Sequence, residues 1–330
     1  MRSLSHEQGA VAPELAATTR RNPRSWPEIL LLVVQCLLLL AMTITVVTKI
    51  WQDHVWFGWA LVAVTCLAWL PEATRKRDRR WWFVYVAGTF IYTLLRSYAD
   101  DTGMPLQTMY VIHIDHFLFF GNDPSVWLQN RLFSTSKVTL LDVAAVQVHW
   151  SFFIAPHAAA VIIFIWKRQL FPRYVALVVG TLYAGLALFF LLPTTPPWLA
   201  GRDGVLPGAY RVMDFVGGKV SGDTYRTLST SIGEPNPVAA MPSIHEAVTF
   251  AMYLYARDHE PRLAPWLLVY CVVMAVSLVY LAEHYVADLV AGVLCAILCH
   301  ALSRRFVAAP SRQTVMATLP LGMREAAPEV

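Results

Sequence analysis

Apolar residues in this chain come in long, seldom interrupted runs, not in the short alternating patterns of a soluble domain. Eight runs stand out, at roughly 29–49, 55–71, 81–96, 143–166, 174–192, 243–256, 263–282 and 284–303. A helix needs about 20 apolar residues to cross a bilayer core, and several runs approach that length. The pattern predicts an all-α polytopic membrane protein with about eight transmembrane helices. Two runs are short: the third stops at Arg96 and the sixth starts at Ser243. Residues 1–28 are polar, and the run after them is long enough to stay as an anchor, so no cleavable signal is expected.

Composition sharpens this reading. Of 330 residues, 57% are hydrophobic and 15% charged, with a mean hydropathy of +0.49, whereas a soluble domain carries about a quarter charged residues. The five cysteines (Cys36, Cys66, Cys271, Cys295 and Cys299) all lie in apolar runs and read as small hydrophobes, not as a disulfide framework. A net charge of +4, with basic residues flanking apolar runs, argues against nucleic acid as a partner.

The basic residues also orient the chain. With the N-terminus in the cytoplasm, segments 1–28, 72–80, 167–173, 257–262 and 304–330 hold 18 of the 26 Lys and Arg residues. Every short basic turn then falls on one side, as the positive-inside rule requires. The expected organisation is a cytoplasmic tail (1–28), two extra N-terminal spans (29–79), a six-span core (80–303) and a C-terminal tail (304–330). Two long segments lie outside. The first, 97–142, mixes acids with Phe117, Phe119, Phe120 and Trp127, and suits the membrane interface. The second, 193–242, is rich in Pro and Gly and is expected to be irregular.

The chemistry concentrates between Pro235 and Asp288. Pro242–Ser243–Ile244–His245 opens the sixth run, so His245 falls in the first turn of a helix. Free N–H groups and the positive dipole end gather there, which favours a bound anion. Ser243 and those N–H groups would steady charge on a phosphoryl group. The second piece is His284–Tyr285–Val286–Ala287–Asp288, whose i, i+4 spacing puts histidine and carboxylate on one helix face. Asp288 can then fix the His284 tautomer and leave the other ring nitrogen free for chemistry. Both histidines fall at the outer ends of their spans, and ionisable groups in such places are costly unless they work.

These motifs resemble the second and third motifs of the type 2 phosphatidic acid phosphatase superfamily. The wider text, Ala240–Met241–Pro242–Ser243–Ile244–His245, Tyr280–Leu281–Ala282–Glu283–His284–Tyr285 with Asp288, and Pro193–Thr194–Thr195–Pro196–Pro197–Trp198, resembles its inositolphosphotransferase branch. Leu118–Phe119–Phe120–Gly121 and Trp127–Leu128–Gln129 add to that likeness. The resemblance covers roughly 80–303 and implies a six-helix membrane core.

It also implies a membrane phosphotransferase acting on a lipid-linked phosphoester at the outer leaflet through a phosphohistidine. In this allotment His245 attacks phosphorus, His284 moves the proton and Asp288 orients His284. The partners are a phospholipid or other lipid-linked phosphate donor and an alcohol acceptor; water as acceptor would make the chain a lipid phosphate phosphatase. No cofactor or metal is required. The expected location is the plasma membrane, with the site on its extracytoplasmic face. A non-catalytic lipid transporter or scaffold is the contrasting class.

Some positions depart from the family pattern. Ser277 stands seven residues before His284, but Leu278 replaces the Arg that follows it in the phosphatase branch, and Ile244 replaces a Gly. The first family motif is not visible. Phosphate therefore needs other cations, and Arg202, Arg211 and Arg226 are the candidates, with Lys219 and Arg96 beside them. His149 and His157 read as satisfied interior histidines, with a place lining the cavity as the alternative, and His113, Asp115 and His116 as water-facing loop residues rather than a metal cluster. Glu246 and Glu283 lie off the catalytic face, and His300 is too near the cytoplasmic end to join the site.

Overall fold

The computed structural model describes residues 79–96, 103–220 and 238–307, all helix and connecting segments with no β-sheet. The expected N-terminal tail, the first two spans, almost all of the C-terminal tail and Arg226 lie outside the described residues. The helices are α1 (Arg79–Arg96), α2 (Met109–Leu118), α3 (Pro124–Leu132), α4 (Leu140–Ser151), α5 (Ala155–Trp166), α6 (Phe171–Leu191), α7 (Pro197–Arg202), α8 (Val212–Val220), α9 (Ile244–His259), α10 (Ala264–Tyr280) and α11 (Val286–Phe306). A 3-10 turn, Arg168–Leu170, leads into α6.

Local sequence explains the boundaries. Asp123 accepts from the Val126 N–H at 3.0 Å, and Pro124 follows it at the first helical position of α3. Thr139 and Asp142 form a reciprocal capping box at the start of α4. Ser243 caps α9 through the Glu246 N–H. Such caps satisfy N–H groups that a helix cannot satisfy itself. Proline near the start of α5, α6, α7 and α10 occupies a place where its missing N–H is not needed.

All six runs expected for the core fall on helices. By length and apolar character, Arg168–Leu191 and Val286–Phe306 can each cross a bilayer. The paired α4 and α5, bent by 45°, make a third such unit, and α10 is apolar but shorter. The expected run 143–166 is therefore two helices and not one continuous helix. The break falls at residues 152–154, where Pro156 removes a backbone donor from the following turn. The outer segment 193–242, expected to be irregular, instead contains α7 and α8.

α9 sits at the centre, packed against α10, α11 and α6, while α6 also meets α1 and α11. One buried cluster joins Tyr85, Phe171, Tyr174, Val178, Val248 and Ala251. A second joins Val111, Trp198, Leu199, Tyr285 and Ala287. α10 buries Cys271, Met274 and Leu278 yet exposes Val269, Val272, Val273 and Val276. α11 likewise buries Gly292, Ala296 and Cys299 and exposes Val290, Leu294 and Leu298. On α11, small residues inside and larger apolar ones outside are the arrangement of helices packed together in lipid.

Three connecting segments meet beside Thr194. Its N–H donates to the Val238 carbonyl (2.8 Å), and its carbonyl accepts from Ala240 (3.2 Å). Gln107 donates to Pro193 (2.9 Å), and Thr195 donates to Gln107 (3.1 Å). These bonds fix the approach to α9, and so the position of His245.

Candidate active site

His245 is the second residue of α9. Just before it, the Ser243 N–H donates to the Asp288 carbonyl at 2.9 Å, joining the start of α9 to the first turn of α11. The Ser243 hydroxyl accepts from Glu246, so Ser243 lies buried at the foot of the site as a helix cap. Gly292 of α11 faces the Ser243 carbonyl, where a Cβ would collide. The absence of a side chain there is what lets α9 and α11 approach.

His284 lies in the turn between α10 and α11. Ala282 has φ 60°, the left-handed region. The Glu283 and His284 N–H groups both point back to the Leu278 carbonyl, at 3.0 and 3.4 Å. This is the pattern of a helix stopped by one left-handed residue, unusual because a residue other than Gly pays about 1–2 kcal/mol there. The turn carries His284 under α9. Strained backbone of this kind gathers at functional sites.

His284 Nδ1 donates to Asp288 Oδ2 at 3.3 Å, and the same oxygen accepts from the Tyr285 N–H at 3.0 Å. On its other side, His284 Nε2 lies 3.4 Å from His245 Nδ1. The three residues thus form one chain, His245–His284–Asp288, with the carboxylate at the end. The His245 ring also packs against Phe152 and His149, with centroids 4.5 and 4.6 Å away.

His245 and His284 line a cavity of about 120 Å³. Its α1 wall presents Tyr85, Thr89, Tyr92, Thr93 and, at the helix end, Arg96. Phe152, Val178, Leu182, Phe189 and Val248 make it apolar elsewhere. His157 lines it too, with Nδ1 2.9 Å from the Tyr85 hydroxyl.

The expected phosphate-binding residues separate in space. Arg202 is exposed, with 68% of its side chain accessible, and pairs with Asp203 at 3.1 Å. Arg211 is mostly buried; its Nε lies 3.4 Å from Glu283 Oε1 and its guanidinium 4.1 Å from the Trp198 ring centroid. Lys219 lies in the last turn of α8 and is exposed. Arg96, a secondary candidate in the sequence, is the arginine among the cavity-lining residues.

Two side chains differ from their expected surroundings. Asp115 does not face water: it is 1% exposed and accepts from the Val286 and Ala287 N–H groups of α11, both at 2.9 Å. Its sequence neighbours His113 and His116 turn elsewhere, and among the described residues no cluster of His, Cys, Asp or Glu could hold a metal ion. Burial pushes the Asp115 carboxyl up to about 6, against the two N–H donors that favour its ionised form. Burial likewise raises the Glu283 carboxyl, with Arg211 opposing it. His149, read from the sequence as a satisfied interior residue, instead touches His245, and its Nδ1 has no hydrogen-bond partner among the described residues. No local motif marks it, because the contact depends on how α4 meets α9.

The catalytic subunit of inositol phosphorylceramide synthase from Saccharomyces cerevisiae is 25% identical over 202 residues, 59% of this chain and 49% of that protein. The corresponding subunit from Schizosaccharomyces pombe is 28% identical over 127 residues, 37% of this chain and 30% of that protein. The chain thus spans about half the length of the first relative and under a third of the second. No solved structure matches it. Residues 109–302, which contain both histidines, Asp288 and every helix from α2 to most of α11, match the PAP2 superfamily, and the chain belongs to that superfamily.

Proposed function

We propose that the protein is a membrane phosphotransferase that moves a phosphorylated headgroup from a lipid donor to an alcohol acceptor through a phosphohistidine. The observation that carries this reading is the chain of two imidazoles and one carboxylate, with contacts of 3.4 and 3.3 Å, beside a cavity lined by Arg96. The two yeast relatives are named for inositol phosphorylceramide synthesis. By that likeness the transferred group is a phosphoinositol and the acceptor a ceramide-like lipid alcohol. The distribution of Lys and Arg favours a site on the outer face of the plasma membrane.

The geometry supports an allotment of roles that reverses the one expected from sequence. His284 donates Nδ1–H to Asp288, so its Nε2 lone pair is the one held toward the site. Attack by Nε2 on phosphorus breaks the bond to the lipid oxygen and leaves a cationic phosphohistidine facing the Asp288 carboxylate. The same cation on His245 would sit at the positive end of α9. His245 Nδ1, 3.4 Å from that nucleophile, is placed to protonate the leaving lipid oxygen. In the second half-reaction His245 takes the proton from the acceptor hydroxyl. The acceptor oxygen then bonds to phosphorus, and His284 leaves. Arg96 holds the non-bridging oxygens.

The test uses purified protein in liposomes with a panel of phospholipids, with and without lipid alcohols, read by phosphorus NMR. A new phosphodiester that appears only with an alcohol acceptor supports the transferase. Acceptor-independent release of a phosphorylated headgroup or inorganic phosphate would make the chain a phosphatase. Phosphohistidine is trapped in the His245→Ala variant and located by mass spectrometry. Label on His284 supports its role as nucleophile; label on His245 in the His284→Ala variant returns that role to His245. No turnover and no label in the wild type would leave the transporter or scaffold reading.

A further inference from the structure

Asp115 is a buried acid on α2, far in sequence from the catalytic motifs, and the phosphotransfer chemistry does not use it. Both of its oxygens are engaged: Oδ2 accepts from Val286 and Oδ1 from Ala287, at 2.9 Å each. Those are the first two N–H groups of α11. The Tyr285 N–H just before them goes to Asp288, the carboxylate that orients His284. Two carboxylates from distant parts of the chain therefore divide the N-terminus of one helix.

This division matters because Asp288 stands in the first turn of the same helix, with Oδ2 already accepting from Tyr285 and Oδ1 buried without a hydrogen-bond partner among the described residues. Without Asp115, half-buried Val286 and buried Ala287 would present two N–H donors stripped of their carboxylate acceptor. Donors left so are costly and recruit whatever acceptor is near. Asp288 is near, and its shift toward them would draw it from His284 Nδ1. We propose that Asp115 is a positioning residue that satisfies the start of α11 and so reserves Asp288 for His284. The inference rests on the reading of His284–Asp288 as the catalytic dyad.

The experiment compares wild type with Asp115→Ala and Asp115→Asn, each purified whole into liposomes with the phospholipid and lipid alcohol that give turnover. Protein labelled with nitrogen-15 histidine is examined in parallel. The His284 Nδ1–H resonance is assigned by its absence in His284→Gln. In Asp115→Ala, kcat should fall by up to about 100-fold, the loss that a misplacement of about 1 Å can cause, while KM stays within about twofold. The His284 Nδ1–H signal should weaken or shift. Asp115→Asn, which keeps one acceptor oxygen, should restore part of both.

A kcat for Asp115→Ala within twofold of wild type, or an unchanged His284 signal, would overturn the proposal. If Asp115→Ala does not fold, the same two readings on Asp115→Asn decide. Wild type without phosphotransfer would sink the functional reading alone, since the NMR comparison still reports whether Asp115 holds the His284–Asp288 contact.

Discussion

Gly292 of α11 lies against the backbone of Ser243, the residue that caps α9. A Cβ at position 292 would collide with the Ser243 carbonyl oxygen and come within 3.2 Å of the Ala247 nitrogen. Both obstacles are backbone, so neither can rotate away. This contact sets the separation of α9, which carries His245, from α11, which carries Asp288. Gly292→Ala should push the helices apart, lower stability by about 1–3 kcal/mol as overpacking does, and reduce kcat well beyond the loss of folded protein. Thermal unfolding in detergent and turnover per folded molecule would check both. A fully active Gly292→Ala protein would show that the two helices can separate without disturbing the histidines.

Arg96 tests the phosphate assignment. It ends α1 and lines the cavity with His245 and His284, whereas Arg202 is exposed and paired with Asp203. A hydrogen bond to a charged group contributes about 1.5–3 kcal/mol, so Arg96→Ala should cut kcat/KM by about 10- to 100-fold. Arg96→Lys should recover only part of that, because an ammonium cannot make the paired contacts of a guanidinium. Arg202→Ala should change kcat/KM by less than about twofold, as exposed pairs contribute little. Steady-state kinetics on the three variants would decide it, and the reverse ranking would move the phosphate toward α7.

Much of this arrangement is legible in the sequence, for physical reasons. The i, i+4 spacing of His284 and Asp288 points to their contact, although the structure makes it with His284 in the turn before α11 and not on a shared helix face. Pro242 and Ser243 predict where α9 begins, since caps are read within a few residues. Long apolar runs predict the core helices because their length is set by the bilayer. The missed parts all depend on how distant segments meet. Asp115 looks like a loop acid until α2 is seen under α11. His149 looks like a core residue until the bend after α4 brings it onto His245. Arg96 outranks Arg202 only once α1 is packed against α6 and its end opens into the cavity. The left-handed Ala282 gave no signal, because the usual marker of such a turn is glycine.

His149 holds His245 by its ring rather than through its nitrogens. The rings lie 4.6 Å apart, and His149 Nδ1 is buried with no hydrogen-bond partner among the described residues. His149→Phe keeps an aromatic face and removes a desolvated polar atom, so it should retain activity within about threefold and unfold no more easily. His149→Ala leaves space beside His245 and should lose about tenfold in kcat, with a stability loss of a few kcal/mol from the unfilled volume. Parallel kinetics and thermal unfolding would separate the two. An inactive but folded His149→Phe protein would show that a ring nitrogen takes part in the chemistry.

Asp115 also predicts how stability depends on pH, and the sign follows from its surroundings. Its carboxyl titrates near 3.8 when exposed and at about 6 in the folded protein, raised chiefly by burial and in lesser part by Asp288 and Asp123. Between those values the folded chain holds a proton that the unfolded chain has released. Stability then falls as pH rises through that window and levels off above about 6. A shift of this size corresponds to at most about 3 kcal/mol. Asp123 and Glu283, also raised by burial, push in the same direction in both proteins; Glu283 cancels in a comparison, and Asp123 cancels except for its coupling to Asp115. Asp115→Asn cannot take up the proton. On acidification from pH 7 to pH 4.5, wild type should therefore gain thermal stability relative to Asp115→Asn, with most of the change below about pH 6. Melting curves of both proteins across that range are the check. Parallel curves would mean that Asp115 titrates like an exposed acid and is hydrated in solution, since its bonds to Val286 and Ala287 only oppose the rise that burial causes.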